Sequence, residues 1–169
     1  MRAWLLAVLL LCGCGYSSGF FLPDGRVTVG VEFFDNTSPV RDLEAELHGY
    51  LTDSVQRMVH ARIVPPDEAD YVIRGTVVTF ARRRGIRSPD NVQLERGIRI
   101  AAQAELWERE LPDGGRRMNR VFEQRFSSES GYRLEEPLGE DRARDRVLRN
   151  LSDEVVIELF SFLSAREAP

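Results

Sequence analysis

Three long strand-like segments in succession occupy the middle of the chain and limit the folds open to it. Residues 71–82 (YVIRGTVVTFAR) are rich in β-branched and aromatic residues, and residues 93–108 and 119–127 carry apolar side chains at alternating positions. This composition and this period of two predict β-strands with one buried face. The sequence PDGG at 112–115 is typical of a tight turn. Strands joined by hairpins are antiparallel, so the segments predict an antiparallel sheet.

Further elements precede and follow these strands. Residues 26–34 alternate as a strand, and an amphipathic helix of about twenty residues follows, with Ser38 as predicted N-cap and Pro39 at its first position. A short strand is predicted at 61–64 and a closing helix at 140–165. The order is β-α-β-β-β-β-α, with one short strand. It predicts an α+β two-layer sandwich, in which two helices pack on one face of a mostly antiparallel four-stranded sheet.

The first residues have the pattern of a secretory signal. Met1–Arg2 is basic and Ala3–Leu11 is an apolar run of nine residues, whereas a helix that spans a bilayer needs about twenty. We therefore predict a cleaved secretory signal peptide, followed later in the chain by a single α+β domain at 26–169.

The segment at 11–14 (LCGC) resembles the lipobox of bacterial lipoproteins. Cys14 fits that frame because the small residue Gly13 precedes it, whereas Cys12 follows a leucine. The resemblance implies that the chain is cut before Cys14, which makes residues 1–13 the signal peptide and residues 14–25 a lipidated lead segment. It also implies that Cys14 is acylated on its sulfur and on its new amino group, and that these acyl chains anchor the protein in a membrane. The other interpretation is an ordinary cleaved signal with two incidental cysteines.

The composition argues against catalysis and against nucleic acid as a partner. Cys12 and Cys14 are the only cysteines, and His48 and His60 are the only histidines. A disulfide framework, a cysteine-type zinc site and a catalytic thiol are therefore excluded from the rest of the chain. The net formal charge of −4 speaks against general affinity for nucleic acid. We expect a non-enzymatic protein with no catalytic residues, no metal and no cofactor.

Two arginines inside the second long strand raise a burial problem. Arg96 and Arg99 lie on opposite faces of a regular strand, so one of them points toward the apolar side, where an unpaired charge is costly. Pairing with Glu44 or Glu46 would solve the problem. A β-bulge at Gly97 is the solution we predict.

All 23 basic residues are arginines, and some are clustered. Four lie within six residues at the turn between two long strands: Arg82, Arg83, Arg84 and Arg87. A second group, Arg116, Arg117 and Arg120, flanks the next turn, at the opposite end of the predicted sheet. The first cluster is the candidate site for phosphate groups, because arginine binds phosphate through two parallel hydrogen bonds. The other interpretation is that these arginines keep the sheet ends soluble and discourage edge pairing.

Several stretches together resemble the lipopolysaccharide-assembly lipoprotein LptE family. They are Cys14-Gly15-Tyr16, the strand at 26–35 with the following Asn36-Thr37, the segment 69–77, the strand at 98–107 and the C-terminal helix. The opening strand and turn are also similar to other envelope lipoproteins, including those of the curli-secretion type. That similarity leaves open a second function, as a scaffold component that forms a periplasmic assembly.

The resemblance to the LptE family implies a location, partners and a ligand. Such proteins plug the wide LptD β-barrel at the outer membrane and assist lipopolysaccharide in reaching the outer leaflet. A glycine after the lipidated cysteine, here Gly15, favours the outer membrane over the inner. The resemblance thus implies a lipid-anchored protein that faces the periplasm and sits within a barrel lumen. It also makes lipopolysaccharide the ligand of Arg82, Arg83, Arg84 and Arg87.

Overall fold

The protein has an α+β fold, seen in a computed structural model that describes residues 19–20, 27–87, 89–90, 92–110 and 117–166. The predictions for residues 1–13 and Cys14 lie outside these residues, as does the turn at 112–115. The elements in chain order are β1 (Thr28–Val31), β2 (Asp35–Asn36), α1 (Leu43–Met58), β3 (Arg62–Ile63), β4 (Tyr71–Arg84), β5 (Glu95–Glu110), β6 (Arg117–Arg133) and α2 (Gly139–Arg166).

The sheet is mixed and has six strands in the described part of the chain. Its order is β3-β1-β4-β5-β6, and β2 also pairs with β4. The antiparallel pairing of the three long strands is confirmed. The prediction of four mostly antiparallel strands is wrong in number and misses the parallel part, because β1 pairs parallel with both β3 and β4. The crossover through α1 brings the chain back in the same direction, which a hairpin does not do.

Both helices pack on one face of the sheet, as predicted. The side chains of β5 that point to this face are fully buried: Ile98, Ile100, Ala102, Ala104 and Leu106. The helices contribute matching apolar stripes at helical spacing: Leu43, Leu47, Leu51 and Val55 on α1, and Val147, Leu151, Val155 and Leu159 on α2. The opposite face of the long strands, which we call the open face, has no helix against it among the described residues.

The predicted start of the first helix is wrong by several residues. Asn36 accepts a hydrogen bond from the Ser38 amide at 2.9 Å and donates one to the Val40 carbonyl oxygen at 2.7 Å. These bonds hold the chain in a turn, so α1 begins only at Leu43. Asp42 occupies the N-cap position with a φ of 63° and makes no side-chain cap hydrogen bond. The turn therefore replaces the predicted cap.

The predicted bulge at Gly97 is also wrong. Gly97 pairs in regular register on both sides, and the shift between β4 and β5 lies instead between Val77 and Thr79. Arg96 does lie on the helix-side face, but it is next to the first residue of β5 and is exposed there. Arg99 points to the open face. The charge problem is solved by position along the strand, with neither a bulge nor a buried ion pair.

Phe20 lies in the predicted lead segment and is part of the packed fold. The Phe20 amide donates to the Met58 carbonyl oxygen at 2.8 Å, and Phe20 forms an isolated parallel β-bridge with Val59. Its ring centroid lies 6.4 Å from that of Phe160, near the C-terminal end of α2. The chain therefore enters the fold at this end. Among the described helices, none is long and apolar enough to cross a bilayer.

Candidate anion site on the open face of the sheet

The open face carries a depression of about 350 Å³ with three arginines around it. Arg83 comes from β4, Arg99 from β5 and Arg125 from β6. They share a face because directly opposed residues of antiparallel strands point to the same side, and the long hairpins place these positions next to one another. We call these three residues the arginine triad.

The floor of the depression is made of small residues, and neutral hydroxyl groups orient the guanidinium groups. Its remaining lining residues are Thr79, Ala81, Ala101 and Ser127. Arg99 Nη2 donates to Ser127 Oγ at 3.2 Å, and Arg125 Nη2 donates to Thr79 Oγ1 at 3.4 Å. A hydroxyl acceptor fixes a guanidinium without cancelling its charge, so the triad keeps its positive potential.

Carboxylates contribute little to the depression. The Arg83 Nε atom lies 4.0 Å from Glu129 Oε2, the outer limit of an ion pair. Within the described ranges, no carboxylate lies at ion-pair distance from Arg99 or Arg125. Other arginines of the open face differ: Arg74 pairs with Glu32 at 2.8 Å, and Arg120 pairs with Glu105 at 2.9 Å. The triad can therefore offer guanidinium N–H donors to an anion with several oxygens, such as a phosphate.

The four arginines predicted as one site do not form one patch. Alternation along β4 sends Arg83 to the open face, whereas Arg82 and Arg84 point to the helix-side face. Arg82 makes an ion pair with Glu140 at 2.6 Å. Arg84 is exposed, and Arg87 follows the strand, in a bridge with Gln93. Only Arg83 of the predicted set reaches the depression.

The sequence analysis missed Arg99 and Arg125 as site residues. The signal for Arg99 was present, because folding the predicted hairpin between 82 and 93 brings it beside the first arginine cluster. The signal for Arg125 was weaker, since its position depends on the register between β5 and β6. The second predicted cluster does lie at the other end of the sheet, where Arg120 is neutralised by Glu105 and Glu123; Arg116 is outside the described residues.

A polar latch connects β4, β6 and α2 on the helix-side face. Glu140, in the first turn of α2, accepts hydrogen bonds from Arg82 Nη2 at 2.6 Å and from the Tyr132 hydroxyl at 2.7 Å. The hydrogen bond from Arg82 is the main cause that lowers the pKa of Glu140 below its ordinary value. Burial, followed by the bond to Glu140, raises the pKa of Tyr132.

The Glu140→Gln variant should be less stable than the wild type at neutral pH and should lose this deficit in acid. Because the pKa of Glu140 is lower in the folded state, its stabilising effect is complete above pH 4.5, its ordinary value, and disappears as the pH falls through the lowered pKa. The side chains are partly exposed, so we expect about 0.5 kcal/mol at low salt. Urea unfolding from pH 3 to 7 measures this.

Glu158→Gln is the matched control, at an exposed position of the same helix without an ion pair in the described part of the chain. It should show no such pH dependence. An equal deficit of Glu140→Gln at pH 3 and pH 7 would contradict the latch.

No three His, Cys, Asp or Glu side chains in the described ranges are placed to hold a metal ion. No protein-family model matches the chain, and no curated protein sequence is significantly similar to it.

Solved structures share the fold. Protein XCC0632 from Xanthomonas campestris, described as a member of the DUF330 family, has a TM-score of 0.65 at 10% identity, over 90% of this chain and 91% of that one. The hypothetical protein CT253 from Chlamydia trachomatis has a TM-score of 0.59 at 9% identity, over 83% and 99% of the two chains. A Caulobacter crescentus protein provisionally described as a lipoprotein has a TM-score of 0.54 at 18% identity, over 80% and 93%. At these identities the likeness shows a common fold, and membership of the LptE family stays a prediction from sequence.

Proposed function

We propose that this chain is a lipid-anchored outer-membrane protein of lipopolysaccharide assembly. It plugs and assists an LptD-type β-barrel, carries out no chemical reaction, and binds phosphate groups of lipopolysaccharide through the arginine triad. The triad differs from the set that the sequence predicts, Arg82, Arg83, Arg84 and Arg87, of which Arg83 alone belongs to it.

The arginine triad is the observation that carries the proposal. Three long strands each contribute one guanidinium to a depression with a floor of small side chains, and Glu129 is the one carboxylate among the described residues that approaches them. Phosphates on a sugar present several charged oxygens at once, and charge-assisted bonds from arginine are among the strongest hydrogen bonds in proteins. The lipobox-like segment at 11–14 supports the membrane anchor. The fold adds support, since a bacterial protein described as a lipoprotein shares it.

The Arg99→Ser/Arg125→Ser double variant should bind lipopolysaccharide about a hundredfold more weakly. Each hydrogen bond to a charged group contributes roughly 1.5–3 kcal/mol, and 1.4 kcal/mol corresponds to a factor of ten. Binding of the purified mature protein to lipopolysaccharide below its aggregation concentration is measured by fluorescence anisotropy. A dephosphorylated lipid A serves as the comparison ligand, and it should bind the wild type and the double variant equally weakly.

Arg120→Ser is the matched control, since Arg120 lies on the same face but is neutralised by two glutamates. It should leave the affinity within about twofold of the wild type, because a neutralised arginine has little left to offer an anion. Equal losses of affinity in the control and in the double variant would mean that lipopolysaccharide responds to the overall charge of the protein, which would contradict a site at the arginine triad.

A pull-down from outer membranes tests the partner. Recovery of a very large barrel supports the proposal, whereas self-association into a ring supports the scaffold function.

A further inference from the structure

Most of the exposed large apolar side chains among the described residues lie together at one end of the sheet. Five of the seven exposed large hydrophobic residues in the described part of the chain belong to the β4–β5 hairpin and to the loop before α2: Ile86 (61% exposed), Val92 (59%), Leu94 (41%), Leu134 (42%) and Leu138 (66%). We call these residues the aliphatic tip. The Leu94 amide donates to the Ile86 carbonyl oxygen at 2.9 Å, and the Leu134 amide donates to the Leu94 carbonyl oxygen at 3.1 Å. The three segments therefore lie side by side.

The backbone at Leu138 supports a role for its side chain. This residue has a φ of 60°, a conformation that glycine adopts at no steric cost and that leucine rarely adopts. Leu138 is the most exposed of the large hydrophobic residues that the structure describes. Neither packing nor backbone geometry favours leucine there. The effect of the Leu138 side chain is to add apolar surface to the aliphatic tip.

Arginines lie beside the aliphatic tip, on its hairpin side. The hairpin segment 82–96 contains five arginines, of which Arg82 is paired with Glu140, against two carboxylates, Asp90 and Glu95. The loop before α2 adds Glu135 and Glu136, of which Glu136 pairs with Arg142 at 2.7 Å. The excess positive charge is therefore on the hairpin side of the tip. Aliphatic side chains next to arginines whose charged heads stay in water are typical of protein segments that enter the headgroup region of a bilayer.

The tip lies far from the end at which the chain enters the fold. Phe20 packs against Phe160, and roughly 30 Å of helix α2 separates this contact from Gly139, next to the tip. A protein held by its N-terminal segment therefore presents the aliphatic tip away from the point of attachment.

We propose that the aliphatic tip binds an anionic phospholipid surface, with its aliphatic side chains in the boundary between headgroups and acyl chains and its arginines at the phosphates. The tip has no exposed aromatic side chain among its described residues, whereas protein interfaces concentrate their binding energy in aromatic anchors. A second copy would bring the same arginine-rich hairpin against itself. The inference goes beyond the proposed function, because it requires neither a barrel nor lipopolysaccharide.

A vesicle-recruitment experiment tests the inference. The full mature chain is attached to dense phosphatidylcholine vesicles through a C-terminal hexahistidine tag and a nickel-chelating lipid, which hold it by the end opposite the tip whether or not Cys14 is acylated. Fluorescent acceptor vesicles contain phosphatidylcholine alone or with 30 mol% phosphatidylglycerol, a composition of roughly physiological surface charge. Sedimentation of the dense vesicles should carry down about tenfold more of the anionic acceptors than of the neutral ones.

Two variants and a control make the test specific. Leu138→Gly should lower recruitment several-fold without loss of thermal stability, because glycine relieves the backbone strain while it removes apolar surface. The Ile86→Ser/Leu94→Ser double variant should reduce recruitment to the level of bare vesicles. Ile157→Ser removes a residue that is about as exposed as Leu94 (43% against 41%) from the C-terminal half of α2, and it should leave recruitment unchanged.

Equal recruitment of neutral and anionic acceptors would overturn the inference, and so would wild-type recruitment by the double variant. Clustering of the dense vesicles with one another, without acceptors, would show that the tip binds a second copy instead. None of these outcomes depends on lipopolysaccharide binding by the arginine triad.

Discussion

The Cys14→Ser variant should lose all covalent lipid and its stable attachment to the membrane. A serine in place of Cys14 cannot carry a thioether-linked diacylglyceryl group, so neither cleavage before residue 14 nor acylation of the new amino group follows. Acyl chains contribute about 0.8 kcal/mol for each buried methylene, so one chain binds a bilayer marginally and two or more bind it durably. The uncleaved apolar run 3–11 is too short to replace them as a spanning anchor.

Mass spectrometry of the N-terminal peptide and extraction of membranes with carbonate check this prediction. The wild type should carry the mass of three acyl chains on residue 14 and should resist extraction, whereas the variant should retain residues 1–13, show no added lipid and be extracted. Cys12→Ser is the matched control, because Cys12 lies in the predicted signal peptide, which is expected to be removed. Lipid on the N-terminal peptide of Cys14→Ser, or its loss in Cys12→Ser, would contradict the assignment.

The elements that the sequence predicts well are those whose own periodicity determines them. The alternation at 71–82 and 93–108 predicts the two long strands to within about two residues, because one face is covered by helices and the other is not. The apolar spacing on both helices predicts their buried stripes in the same way. Short elements lack such a periodic pattern. Strand β2 consists of Asp35 and Asn36 alone, and its pairing with β4 depends on the direction in which the chain before it runs.

The candidate site could be predicted only in part, because it depends on register and not on local composition. Arg83, Arg99 and Arg125 are separated in the sequence, and although Arg83 belongs to an arginine run, no local pattern connects it with Arg99 or Arg125. A register shift between Val77 and Thr79 decides which arginines of β4 face the depression. A change of one residue there would turn Arg83 away and bring its neighbours to the open face. Contiguity in sequence was therefore a poor guide to the site, since a strand separates adjacent side chains onto opposite faces.

Gly75→Ala should lower the free energy of unfolding by about 2–3 kcal/mol, and the melting temperature by roughly 6–10 °C. Gly75 lies in β4 opposite Ala104, on the face that packs under the helices. An added methyl group would lie 2.5 Å from the Phe34 ring and against the backbone carbonyl oxygen of Gln103. The carbonyl belongs to β5, which is held by ladders on both sides, so the methyl group must displace this backbone as well as the Phe34 ring, which is only 2% exposed.

Gly49→Ala and a double-mutant cycle identify the cause of that loss. Gly49 lies in α1, and a methyl group there meets nothing within 4 Å, so alanine should stabilise the protein by about 0.5–1 kcal/mol through its higher helix propensity. The two glycine-to-alanine changes thus have opposite expected signs, which separates steric exclusion from any general effect of the substitution. In a Phe34→Leu background the smaller side chain can yield, and Gly75→Ala should then cost at least 1 kcal/mol less, roughly the coupling expected of residues in contact. The Phe34 ring covers Gly75, the residue that lets β4 approach β5. If Gly75→Ala costs the same free energy in both backgrounds, the backbone of β5, and not Phe34, makes a glycine necessary at this position.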